Sequence, residues 1–505
     1  MPLCLSSGRR AGTGIIAASF LLAAPALALE PTPEQPTDTP PPVADGPVQA
    51  PTRIIVKFVE NAEGRVQNLT SAIQSAETLS EQIGVSLTHV RTLSDGAQLV
   101  ELAEVEGLTA GIVAQTLEQA VADLNADPDV AYAEPDAIMT IEQAVNDPLF
   151  GQQWHYENTA TGTSLPQGWN NADGSGAVVA VLDTGHRPHP DLAANLLPGY
   201  DFITNVTVAN DGNGRDSNPE DPGDWVTNAE TWCPNRPRNS SWHGTHVAGT
   251  IAAVTNNATG VAGVARGARI VPVRVLGKCG GSLSDIVDAI RWSAGLSVPG
   301  TPANAHPADV INMSLGGGGA CGPSYQDAID DAVAAGVTVV VAAGNSNADA
   351  SNYRPASCLG VITVAATKDD GGRAYYSNFG SAVEIAAPGG ETFQQASRGV
   401  LSTLNSGLQG PANDNYVFYQ GTSMAAPHVA GVAALLYDLD PNISPATVST
   451  VLQNTAKPFP TVTTRQCSTT NCGAGIVDAG AATAAITPPS SQSASIPWIK
   501  ILLKN

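Results

Sequence analysis

Over residues 145–485 the chain alternates short, unbroken apolar runs with stretches of helical pattern, and no other feature constrains its fold as tightly. The run Val178-Val179-Ala180-Val181-Leu182 carries no polar residue at alternate places, so both faces of such a strand must be buried. Strands are predicted at 177–182, 270–276, 309–313, 338–343 and 361–365, and helices at 245–253, 284–294 and 423–436. This alternation defines the α/β class: a parallel, twisted sheet with helices on both faces. About 340 residues in one sheet-centred domain supply ample core.

Upstream, from residue 52 to about 139, the texture changes. A strand is predicted at 53–59, a helix across 66–82, a strand around 98–102, a second helix at 109–125 and a last strand at 130–133. That succession, with room for one more strand before the second helix, suits a small α+β split βαβ domain, too short and plain to carry chemistry itself. Residues 29–51 are Pro-rich and cannot bury a core, so they read as a linker. Arg9 and Arg10 precede an apolar run, 11–24, and the triplet Ala26-Leu27-Ala28, the pattern of a secretory signal peptide cut after Ala28. The run is shorter than the ~20 residues of a spanning helix, so no membrane span is expected in the mature form. The division is therefore 1–28 signal peptide, 29–51 linker, 52–144 small domain, 145–487 large domain and 488–505 tail. The tail reads equally as a sorting signal, a processed end or a docked terminus.

The formal charge of −23 makes nucleic acid an unfavourable partner. It suits a soluble protein, and one that binds a hard cation such as calcium. Cys4 leaves with the signal peptide. The remaining six, Cys233, Cys279, Cys321, Cys358, Cys467 and Cys472, read as three disulfides of an exported chain, with 15 pairings open. A zinc site is disfavoured, since no Cys-x-x-Cys pair is present.

Three segments put a reactive side chain where a parallel sheet places its site, at a strand's carboxyl end or the start of the next helix. Asp183 closes the first apolar strand; His243 stands in His243-Gly244-Thr245-His246; Ser423 stands in Gly421-Thr422-Ser423-Met424-Ala425-Ala426-Pro427-His428, with Pro427 placed in the first turn of the following helix. A serine at a helix N-terminus has unpaired N–H groups and the positive end of the dipole nearby, which favours an oxyanion. A neutral His243 can take the hydroxyl proton and deliver it to the leaving amine, while Asp183 holds the ring's tautomer. Asn345, in Ala342-Ala343-Gly344-Asn345 at another strand end, can aim its amide at the developing negative charge. Against this, Asp183 could be a turn residue, Ser423 an N-cap and His243 a satisfied core histidine, as His246 and His428 are expected to be. Four such roles in one chain outweigh that reading.

Asp183-Thr184-Gly185, His243-Gly244-Thr245-His246 and Gly421-Thr422-Ser423-Met424-Ala425-Ala426-Pro427 resemble the three active-site signatures of the subtilisin-like serine proteases, in that family's order of Asp, His, Ser. The likeness runs over 146–485, and 52–140 is similar to the family's pro-segment. The resemblance implies a secreted, extracellular serine endopeptidase of broad specificity. It would work through an acyl-enzyme, act as a monomer without an organic cofactor, and be autoprocessed from a precursor whose 52–144 domain inhibits it intramolecularly. It also implies that Gly280 and Gly281, with Ser314, Leu315 and Gly316, clamp a polypeptide substrate as the middle of three strands. Tyr353, in Asn352-Tyr353-Arg354-Pro355, would line the first specificity pocket, or else belong to an ordinary loop before Cys358.

By the same resemblance, Asp147 and Asp191 match calcium-binding positions, with the Thr255-Asn256-Asn257 loop adding carbonyls and an amide. The insertion carrying Asp211, Asp216 and Asp221 has the composition of a second calcium loop, or of a solvated surface loop, without the glutamate spacing of an EF-hand. The implied disulfides are Cys233 with Cys279, Cys321 with Cys358 and Cys467 with Cys472. Two rivals remain distinguishable: an inert binding module, which organophosphate labelling would expose, and an esterase, disfavoured because no Gly-x-Ser-x-Gly elbow surrounds Ser423.

Overall fold

The structure, a computed structural model, describes residues 53–59, 87–102, 110–128, 130–136, 145–234 and 237–486. The signal peptide, the linker, the helix expected at 66–82, the connector 140–144 and the tail 488–505 lie outside the described residues.

In the small domain, β1 (Arg53–Phe58), β2 (Leu87–Thr92), β3 (Gln98–Leu102) and β4 (Val130–Pro135) form a sheet in the order β2-β3-β1-β4 with antiparallel pairing. Helix α1 (Ala110–Ala126) packs Leu117, Ala120 and Leu124 against Ile54, Val56 and Val100.

In the large domain, β5 (Val178–Asp183), β6 (Tyr200–Asp201), β7 (Arg269–Arg274), β8 (Val310–Met313), β10 (Thr338–Ala342), β12 (Val361–Thr367) and β13 (Ile385–Pro388) make a seven-stranded sheet in the order β13-β12-β10-β8-β5-β7-β6. Every neighbouring pair in it is parallel. The unbroken apolar runs are explained by the pleat. Val179 and Val181 enter one core with Val310, Val340 and Val364, while Ala180 and Leu182 enter the other with Val271, Ile311 and Val341. Helices α2 (His243–Ala252) and α5 (Thr422–Leu439) cover the first face; α3 (Leu283–Ser293) and α4 (Pro323–Ala334) cover the second.

Two short pairs lie outside this sheet: β9 (Gly317–Gly318) with β11 (Tyr353–Arg354), and β14 (Val400–Asn405) with β15 (Asp414–Tyr419). The β14–β15 hairpin lies on α2, where Ser402 and Thr403 donate their hydroxyls to the carbonyls of His246 and Thr245, each at 2.8 Å. The cysteines pair as the resemblance implied: Cys233–Cys279, Cys321–Cys358 and Cys467–Cys472, with Cα separations of 5.5, 5.0 and 5.5 Å. Among the described residues no helix is long and apolar enough to cross a membrane.

Candidate active site

Strand β5 ends on Asp183, whose side chain is fully buried. Both its oxygens meet Nδ1 of His243, at 2.8 and 2.9 Å, and Oδ1 also accepts the N–H of Thr184 at 2.7 Å. His243 opens α2, so the imidazole comes off the helix's first turn with 22% of its side chain exposed. Two features fix that helix start. Gly244 donates its N–H to Thr184 Oγ1 at 3.0 Å, and a Cβ at Gly244 would stand 2.1 Å from the carbonyl oxygen of Gly185, so only glycine permits the approach. Trp242, before His243, holds a left-handed backbone (φ 49°) while buried and bonded from Nε1 to the Gly407 carbonyl at 2.7 Å; burial over-determines the strained conformation.

Burial opposes charge on the imidazole. The Asp183 carboxylate, through its charge and its hydrogen bond, and the charges of Asp224 and Asp221 farther out outweigh burial and raise the pKa of His243 above the ordinary histidine value.

Ser423 is the second residue of α5. Pro427 stands inside this helix, past the first turn where the sequence pattern had placed it, because α5 begins at Thr422. Its position has a consequence. Proline has no N–H to return to the carbonyl four residues earlier, so the Ser423 carbonyl is left without its helical donor. Ser314 fills the gap, donating its hydroxyl to Ser423 O at 2.8 Å, while the Ser423 hydroxyl donates to Ser314 O at 3.1 Å. The end of β8 and the start of α5 are thus stitched together at the candidate nucleophile. Asn345 is oriented from the same helix end: its Oδ1 accepts both the N–H and the hydroxyl of Thr422, each at 2.9 Å, which leaves its Nδ2 free to donate.

The glycine edge is a tight turn in which Gly277 and Gly280 exchange backbone hydrogen bonds at 3.1 Å. Gly280 has φ 108°, and a Cβ on Gly281 would stand 2.0 Å from the Val275 carbonyl. Leu315 and Gly316 lead from β8 into β9, whose partner β11 contains Tyr353; its side chain packs against the cluster of Ala343 and Ala350, with the ring 3.8 Å from where a Cβ on Gly344 would stand. His246 and His428 are buried as expected, with His246 Nε2 donating to Val417 O (3.0 Å) and His428 Nδ1 to Met424 O (2.8 Å). Burial pushes their pKa values down to about 3 and about 4.

Of the expected calcium residues, Asp147 and Asp191 are both buried, and burial raises the pKa of each; the charge of Asp147 adds to the rise at Asp191. Asp147 accepts the N–H groups of Asn256 and Asn257, at 2.9 and 3.2 Å. The side chain that reaches Asp191 is that of Asn257, at 2.8 Å, whereas the Asn256 amide oxygen accepts from Asn146 N. The insertion is not gathered into one group. Asp211 pairs with Arg274 at 2.8 Å, Asp216 accepts the N–H of Asn218 at 2.6 Å, and Asp221 is buried with its pKa raised to about 7. Among the described residues no cluster of three or more His, Cys, Asp or Glu is arranged to hold a metal.

Thr184 and Thr422, which position the reactive groups, stand inside motifs read from the sequence without a role of their own there, and Trp242 directly precedes one. Asp224 lay within the insertion, but only the tertiary structure brings its charge to bear on His243.

A seven-stranded parallel sheet with a carboxylate-bound histidine and a helix-borne serine at its strand ends defines a class, the serine hydrolases of α/β architecture. Residues 174–477 match the Subtilase family, and the chain belongs to it; it is a serine protease. It is similar to an "Extracellular protease" of Xanthomonas campestris, 51% identical over 83% of this chain and 69% of that one. An "Extracellular basic protease" of Dichelobacter nodosus is 42% identical over 86% and 70% of the two chains. A solved structure of a protease from Pseudoalteromonas arctica is 58% identical, covers 68% of this chain and 99% of its own, and superimposes with a TM-score of 0.65.

Proposed function

We propose that this chain is a secreted, broad-specificity serine endopeptidase, autoprocessed from a precursor, with Ser423 as nucleophile. The observation that carries the reading is the paired contact of both Asp183 oxygens with Nδ1 of His243, which leaves Nε2 as the ring's basic atom. To react, the Ser423 hydroxyl leaves the Ser314 carbonyl and gives its proton to that nitrogen as oxygen attacks the peptide carbonyl. Asn345 Nδ2 donates to the oxyanion, an effect of order 10²–10³ in rate. Collapse expels the amine, protonated by His243, and leaves an acyl-enzyme on Ser423. Water, deprotonated by the same imidazole, then releases the acid. Gly280, Gly281, Ser314, Leu315 and Gly316 supply the strands that flank the peptide, with Tyr353 at the first pocket. Backbone recognition of that kind tolerates many sequences.

Subtilases generally bind structural calcium. Two buried carboxylates with raised proton affinity, Asp147 and Asp191, fit a hard cation, and they would hold it with help from the Asn257 amide. A bound ion would supply the positive counter-charge that the two buried carboxylates are without.

Residues 52–144 are proposed to inhibit the enzyme until its own site cuts between Met139 and Asn146, because a tethered segment competes at high effective concentration. Ser423→Ala decides both points. The purified variant should retain residues 52–144 by intact mass and take no fluorophosphonate label, while the wild type is cut and labelled. The same mature N-terminus from pure Ser423→Ala protein would overturn autoprocessing and the nucleophile together.

A further inference from the structure

Asp224, whose charge helps to raise the pKa of His243, has no contact assigned to it in the chemistry above. Between His243 and the glycine edge lies a recess of about 280 Å³, bordered by Thr184, Asp224, Arg238, His243, Leu276 and Gly280. Asp224 and Arg238 come from the long segment between β6 and α2, outside the sheet, with 9% and 36% of their side chains exposed. Asp224 is fixed in place, since Oδ1 accepts the N–H of Ser241, two residues before His243, at 2.6 Å. Its Oδ2 meets Arg238 Nη2 only at 3.5 Å, the outer limit of a hydrogen bond. A carboxylate offers about four acceptor sites, so Asp224 keeps capacity for another donor.

The wall is also anchored. Val226 and Arg238 exchange backbone hydrogen bonds at 2.9 and 2.8 Å, and Cys233 is joined to Cys279 of the glycine edge. The charge of Asp224 also reaches the neighbouring imidazole, whose pKa it helps to raise. Among the described residues that line the recess, Asp224 is the one carboxylate and Arg238 the one guanidinium, and the carboxylate is the more deeply buried of the two, where its charge is less screened.

We propose that this recess receives the substrate side chain immediately preceding the cleaved residue, and that Asp224 makes it select lysine or arginine there. The inference rests on the protease reading. A peptide lying along Gly280 and Gly281 with its scissile carbonyl at Ser423 must pass between His243 and Gly280. Successive side chains of an extended strand alternate sides, so the neighbour of the residue in the first pocket faces away from that pocket. An entering ammonium takes over the Oδ2 atom that Arg238 holds weakly.

The test is a set of peptides identical except for lysine, arginine, norleucine or glutamate at that one position. The mature wild type should prefer lysine over norleucine by on the order of tenfold in kcat/KM, the strength of one hydrogen-bonded charge partly exposed to water. Asp224→Asn, which still accepts from Ser241, should bring the ratio close to about one, and molar salt should shrink it in the wild type. A wild-type ratio already near one, a preference for glutamate, or a lysine preference unchanged in Asp224→Asn overturns the proposal. Should Asp224→Asn fail to fold, Arg238→Gln removes the competing cation and must raise the lysine preference; a fall overturns it. Equal turnover of all the peptides sinks this inference alone. A wild type that cleaves none of them and takes no label at Ser423 brings down the protease reading and this inference with it.

Discussion

At the scale of single residues, His243 is where opposing forces meet. Burial favours the neutral ring, while Asp183, Asp224 and Asp221 favour the charged one and prevail. A general base must be neutral, so a raised pKa moves the acid side of the activity profile upward in pH. The limb of kcat/KM should lie above the ordinary histidine value of about 6.5. Asp224→Asn should shift it downward by removing one of the raising charges. A limb at or below the ordinary value, measured with a substrate that does not titrate in that range, would contradict this electrostatic account. Asp183, His243, Asn345 and Ser423 were legible as candidates because each stands at the end of an apolar run or the start of a helix. The reciprocal contacts of Ser314 and Ser423 were not. They join residues 109 positions apart and depend on a carbonyl freed by Pro427, which no local pattern displays.

Among the elements, α5 is nearly all buried, from Met424 through Tyr437. Such a helix packs closely against its neighbours only where its contact positions are small. A Cβ on Gly431 would stand 2.5 Å from the Cβ of Val264. Gly431→Ala therefore sets two effects against each other: about 1 kcal/mol gained in helix propensity and about 1–3 kcal/mol lost by overpacking. Because the clash is with a branched side chain close to its backbone, the second should win, and the melting temperature should fall. A higher one would show that Val264 yields easily. The five predicted strands each appear with shifts of one or two residues, since buried runs are conspicuous. The hairpin β14–β15 was passed over: its strands are joined by eight residues with no two-residue turn signal. Helix α4 was passed over although Tyr325, Ala328, Ile329 and Ala332 recur at helical spacing, because two of those four are alanines that barely mark an apolar face.

For the whole molecule, the sheet leaves peripheral segments that disulfides tie down, Cys233–Cys279 and Cys467–Cys472 among them. If calcium occupies the Asp147–Asp191 pair, a hundredfold excess over its dissociation constant stabilises the fold by about 2.7 kcal/mol. Excess chelator should then shorten the half-life at elevated temperature, and Asp191→Asn should abolish that sensitivity. An unchanged inactivation rate in chelator would remove the ion from the account. Finally, the reactive groups lie far apart along the chain: Asp183 in the first strand of the large sheet, His243 sixty positions later and Ser423 on α5 after the last sheet strand. A ribosome delivers them in that order. From His243 to Ser423 the growing polypeptide carries both members of the carboxylate–imidazole pair yet holds no nucleophile. The group that attacks is therefore added last, after every strand of the large sheet.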